Sequence, residues 1–97
     1  MTKYQQYFED MMRNHKELFD NFSQIHKKYT ENPKKWQKDF NESGQEVLRK
    51  IRKYENMLCS RSEGGKYSKF SSNLAEKFWE PIRAKFPKID YVGIILD

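Results

Sequence analysis

A single cysteine, Cys59, excludes an internal disulfide, so the fold must hold without covalent staples. That scarcity fits a reducing, cytoplasmic setting. The opening MTKYQQYFEDMM is polar and acidic and lacks the apolar run of a signal peptide. No stretch approaches the roughly 20 apolar residues of a membrane span, so no membrane association is expected. Histidine is confined to His15 and His26. On one helix they would sit about 16 Å apart, too far to share a metal. Neither a metal-ligand cluster nor a catalytic pair of carboxylates is visible. The segment Glu63–Ser68, EGGKYS, lacks the first glycine of a phosphate-binding loop and follows a helix instead of a strand. No metal, cofactor or catalytic residue is therefore expected, and there is no internal repeat.

What the chain does have is aromatic bulk. Only 36% of its 97 residues are hydrophobic, yet 2 Trp, 6 Tyr and 7 Phe put the apolar area into a few large side chains. A chain of this length can bury roughly two-thirds of its surface. The expectation is one helical domain over residues 1–97, with a small aromatic core.

The periodicity predicts a first helix over 3–29. Tyr4, Phe8, Met11, His15, Leu18, Phe22, Ile25 and Tyr29 recur in a 4-3-4-3 spacing, a heptad seam that suits packing against another long helix. At 1.5 Å per residue this helix would be roughly 40 Å long, and part of it is expected to project. Asn32-Pro33 then supplies an N-cap and a favoured first residue for a helix over 33–59. Trp36, Phe40, Val47, Leu48, Ile51, Tyr54 and Leu58 line its inner face, with Gly44 in the same stripe. Gly44 allows a close backbone approach or a break, and a continuous or slightly bent helix is expected. Residues 60–70, rich in Ser and Gly, read as a loop. A third helix over 72–86 follows, with an Asn73–Glu76 capping box at its start and a kink at Pro81. Its Leu74, Phe78, Trp79, Ile82 and Phe86 form the densest apolar face of the chain. The tail over 88–97, rich in β-branched residues, reads as an extended strand with no partner in the chain. The fold class is all-α: two long antiparallel helices, a shorter kinked third, and an extended apolar tail.

Charge is unevenly spread. The net charge is +5, and residues 27–38 carry five lysines against Glu31 alone. Lys27, Lys28, Lys34, Lys35 and Lys38 bracket the first turn beside Tyr29 and Trp36. Arg61, Lys66 and Lys69 flank Tyr67 and Phe70 further on. Lysines can neutralise phosphates while rings stack on unpaired bases. A solvated lysine surface over inward-packed rings accounts for the same pattern.

Two functions of different class follow. The first is a non-enzymatic protein–protein interaction or assembly subunit. It would cover its first helix and its tail (Tyr91, Val92, Ile94, Ile95 and Leu96) by self-association or by a protein partner. The second is a nucleic-acid-binding module or ribonucleoprotein subunit that uses the basic-aromatic clusters, which would equally meet an acidic partner. An enzyme rests only on Glu55 meeting His15 or His26 as a general base or pH switch; a core histidine with a satisfied hydrogen bond is the simpler reading. Cys59 reads as a half-buried structural thiol.

Overall fold

The computed structural model describes the backbone of residues 2–63 and 68–95 and the side chains of 2–60 and 73–95. It is all-α among the described residues. Four helices follow in order: α1 (Lys3–Asn14), α2 (Lys16–Glu31), α3 (Pro33–Glu63) and α4 (Ser68–Lys85), then one 3-10 turn at Ile89–Tyr91. His15 faces Tyr54 and Phe22 faces Phe40, so the chain of α1 and α2 runs opposite to α3. Tyr4 meets Lys77, while Phe19 and Phe22 meet Phe86, so α4 returns alongside α1 and α2 in their own direction. With 31 residues, α3 sets the long dimension of a body measuring 44 × 26 × 18 Å.

The first expected helix is two. His15 adopts φ −125° and ψ 39°, well off helical values, although its N–H still reaches the Met11 carbonyl and its own carbonyl accepts from Phe19. Heptad spacing reports which side chains face inward and is blind to one turned ψ angle. The bend lays α1 against both α3 and α4, so the first segment does not project. Met11, Phe19, Phe22 and Tyr29 are buried, and Tyr4 and Phe8 pack half-buried on the core. Thr2 begins α1 through a capping box with Gln5: its hydroxyl accepts the Gln5 N–H and its N–H donates to the Gln5 side chain.

Asn32 caps α3 as its sequence suggests, accepting the Lys35 N–H at 3.3 Å. This helix passes residue 59 and continues to Glu63, and α4 starts at Ser68. The loop expected over 60–70 is thus helical at both ends, while residues 64–67 lie outside the described residues. Asn73 falls inside α4 instead of capping it, and the helix continues through Pro81. Serine is only a moderately poor helix former, costing a fraction of about 1 kcal/mol per residue, so Ser60, Ser62, Ser68, Ser71 and Ser72 do not exclude helix.

Among the described residues the tail, 88–95, forms no strand. The N–H groups of Ile89, Tyr91, Val92 and Ile94 reach carbonyls three residues back, at Phe86, Lys88, Ile89 and Tyr91. A lone strand would leave these groups unpaired, whereas tight turns satisfy them locally. Turning also buries Ile89 completely and brings Val92 down on α3.

Gly44 is where that landing occurs. A Cβ there would lie 2.6 Å from Val92 Cγ2 and 2.7 Å from Cγ1, so only glycine lets the valine reach the backbone of α3. One helix turn away, the Asn41 side-chain amide works as a surrogate peptide. It accepts the Gly93 N–H at 2.8 Å and donates to the Ile94 carbonyl at 3.2 Å. Gly93 itself takes φ 91°, a region unfavourable to other residues.

Gly44→Ala should therefore lower stability by about 1–3 kcal/mol through overpacking, against the roughly 1 kcal/mol that alanine contributes in an open helix. In a Val92→Ala background the same change should become stabilising. Denaturant unfolding of the four proteins reads this directly. A stabilising Gly44→Ala in the parent chain would mean that the tail does not dock there.

Candidate functional site

The α2–α3 end of the bundle brings together the turn at Asn32, the first turns of α3 and the emerging tail. Tyr29 stacks on Phe40 with centroids 3.9 Å apart, which fixes the end of α2 on α3. Beside this stack lies a cleft of about 250 Å³ lined by Tyr29, Thr30, Pro33, Lys88 and Tyr91. The Lys88 ammonium lies 5.2 Å from the centroid of the Tyr91 ring. Burial, with Tyr91 as a second contributor, pushes the Tyr29 phenol above its ordinary 10.0. Around the corner, Lys28 and Lys35 hold their ammoniums 4.7 and 5.7 Å from the half-buried Trp36 ring.

His26 fixes this end internally. Its ring lies among Phe22, Phe40 and Phe86, with centroids 5.6–6.0 Å away. Its Nε2 accepts the Lys88 N–H at 3.0 Å, satisfying a donor just beyond α4. An accepting Nε2 carries no proton, so the ring is neutral with its proton on Nδ1. Burial first, and the Lys88 charge second, lower its pKa from the ordinary 6.5. His15, at the bend, stands edge-on to Tyr54, whose hydroxyl is 3.5 Å from its Nε2 and accepts from Asn14 Nδ2 at 3.2 Å. Its pKa is also lowered, by burial and then by Lys50 and Lys53.

Neither histidine takes Glu55 as this partner. Glu55 instead accepts the Trp79 indole N–H at 2.7 Å. Arg83 lies 5.0 Å from the Trp79 ring centroid and donates to Asp90 at 3.2 Å. The three side chains weighed as a His–Glu pair take separate structural roles: His26 accepts from Lys88, His15 meets Tyr54, and Glu55 ties α3 to α4. Cys59 is half-buried on α3. Among the described residues no three His, Cys, Asp or Glu side chains gather as metal ligands. No described helix is long and apolar enough to cross a membrane.

The two basic clusters expected from the sequence do not meet. Lys27, Lys28, Lys34, Lys35 and Lys38 sit around the α2–α3 turn, whereas Arg61 falls in the last turn of α3 and Lys69 in the first turn of α4. From Lys35 to Arg61 the helix rises by roughly 39 Å. Lys66 lies outside the described residues. In the tail, Tyr91, Ile94 and Ile95 are 42%, 45% and 73% exposed, Val92 is half-buried on Gly44, and Leu96 lies outside the described residues. Sequence reading missed Lys88 and Asn41. Lys88 joins the basic end only because α4 returns there, and Asn41 carries one weak signal, an amide in a helix interior where propensity disfavours it.

A groove of about 520 Å³ also runs between α1 and α4, past Tyr4, Phe8 and Pro81. Glu9, Glu80 and Lys77 line it as well, so it presents no single sign of charge. No family model matches the chain, and neither does any curated protein or solved structure.

The depressed pKa of His26 sets a pH dependence with a definite sign. The unfolded chain takes up this proton near 6.5, the folded chain only at lower pH, so the unfolded state binds more protons in between. Stability is thus full above about pH 6.5 and falls as pH drops toward the folded pKa. His26→Gln, which keeps an acceptor but cannot titrate, should flatten thermal stability between about pH 5 and 7. His15→Gln should flatten it less, because its site is more open to water.

Proposed function

We propose that this chain is a non-enzymatic interaction or assembly subunit that meets a protein partner through its C-terminal tail. One observation carries the reading. The large hydrophobic side chains exposed among the described residues, Tyr91, Ile94 and Ile95, all lie within five positions of one another, in a chain of mean hydropathy −1.10. Among the described residues the remaining apolar stripe of each helix is buried or half-buried.

The tail is also held in place. Asn41 pins Gly93 and Ile94 to α3, and Val92 fills the space over Gly44. A contact built on a positioned segment loses less conformational entropy on binding than one built on a free chain end. Clustered, positioned apolar side chains beside polar ones are the composition of an interface centre.

A photo-reactive amino acid at position 95 should give a discrete covalent adduct in cells, to a second copy or to one other protein. Ile94→Asp should remove that adduct while leaving the melting temperature within about 1–2 °C, because the side chain is exposed. A protein that sediments as a monomer at all concentrations and gives no tail-dependent adduct would overturn the reading.

A further inference from the structure

We propose that the α2–α3 end of the bundle is a binding site for single-stranded nucleic acid. One base occupies the cleft beside Tyr91, and the flanking phosphates rest on the lysines around it. The site shares Tyr91 with the tail contact but does not use Ile94 or Ile95.

Three parts of the chain converge there, and lysine predominates among their charges. Lys27 and Lys28 come from the last turns of α2, Lys34, Lys35 and Lys38 from the first turns of α3, and Lys88 from the end of α4. Glu31 and Asp39 offset part of this charge. Among the described residues none of the six lysines is in an ion pair. Asp10, Asp20, Glu46 and Asp90, by contrast, each pair with a cation elsewhere on the surface. Other described lysines along the bundle, such as Lys50, Lys53 and Lys77, are likewise in no ion pair, so what marks this end is that six of them gather there.

Their placement also opposes local stability. A helix N-terminus carries a partial positive charge and favours acidic residues, each worth roughly 0.3–1 kcal/mol. The first turn of α3 has none, and Lys34 and Lys35 stand there instead. Lys35 has the Trp36 ring at 5.7 Å in partial return, and a local rule broken in this way is often kept for function. Added to the helix end, these lysines make a place where an anion is favoured twice, by the helix dipole and by the side chains.

The cleft distinguishes the kind of anion. It is lined by Tyr29, Thr30, Pro33, Lys88 and the exposed Tyr91, with the Lys88 ammonium 5.2 Å from the Tyr91 ring centroid. A planar base stacks on an exposed ring such as Tyr91 whatever its identity, and stacking combines with phosphate neutralisation in single-strand binding. Duplex bases are already stacked on one another and cannot enter. An acidic peptide would satisfy the lysines but has no planar group at regular spacing to fill the cleft.

Fluorescence anisotropy tests this with labelled dT and rU oligomers of about 15 nucleotides, a matched duplex and a glutamate-rich peptide of similar length, at about 50 and 150 mM salt. The single strands should bind at least about tenfold more tightly than the duplex or the peptide at the higher salt. Tyr91→Ala should weaken binding about fivefold or more. Lys34→Glu/Lys35→Glu should weaken it at least about tenfold and reduce the salt slope by about 1–2, while raising the melting temperature because acids suit that helix end. The rise in melting temperature separates lost binding from lost folding. Equal affinity for strand and duplex, loss of all binding at the higher salt, indifference to Tyr91→Ala, or tighter binding of the peptide would each overturn the proposal.

Discussion

Phe22 is the ring on which the bundle turns. It touches Phe40 of α3 at 5.4 Å and Phe86 of α4 at 5.0 Å, so one side chain of α2 registers both other long helices. Phe19 extends the cluster to Phe86, and Tyr29 extends it to Phe40. Aromatic contacts of this kind contribute roughly 0.5–1.5 kcal/mol each beyond the area they bury. Large rings compensate for a low apolar fraction because each removes much surface from water for one residue ordered. His26 belongs to the same cluster, and its Nε2 carries the cluster's geometry outward by holding the Lys88 N–H. The position of the tail is set from this point.

The tail is organised by small, polar and β-branched residues in succession. Ile89 is drawn into the core, Val92 rests where Gly44 has no side chain, and the Asn41 amide pairs the next two peptide groups. Every step satisfies backbone groups that would otherwise need a second strand. Beyond Gly93 the shelter ends, and Ile94 and Ile95 emerge into solvent with their backbone already positioned. An apolar surface that is both exposed and ordered is costly to keep in isolation and suited to being covered, which is why the interaction reading follows from the geometry of the tail.

Charge works against folding at one end of the bundle and with it elsewhere. The exposed pairs Lys16–Asp20, Arg13–Asp10 and Arg49–Glu46 lie along single helices at three- or four-residue spacing. Such pairs add a few tenths of a kcal/mol each. Lys34 and Lys35 contribute nothing of the kind and sit at a helix end that repels them.

Much of the architecture was legible in residue order. Apolar spacing places Phe22, Phe40, Ile51, Phe78 and Ile82 inward, and all five are buried. Asn32-Pro33 marks the start of α3, because capping is local chemistry between residues three apart. By itself the sequence determined the helical class and the composition of the core, since both depend on periodicity and side-chain volume. The tertiary structure alone decided the bend at His15, the turn of the tail, the pairing of Glu55 with Trp79 and the joining of Lys88 to the α2–α3 lysines. Each depends on residues at least 24 positions apart, or on one backbone angle settled by packing. Local patterns carry no information about which distant surface a side chain will meet; contact geometry supplies it.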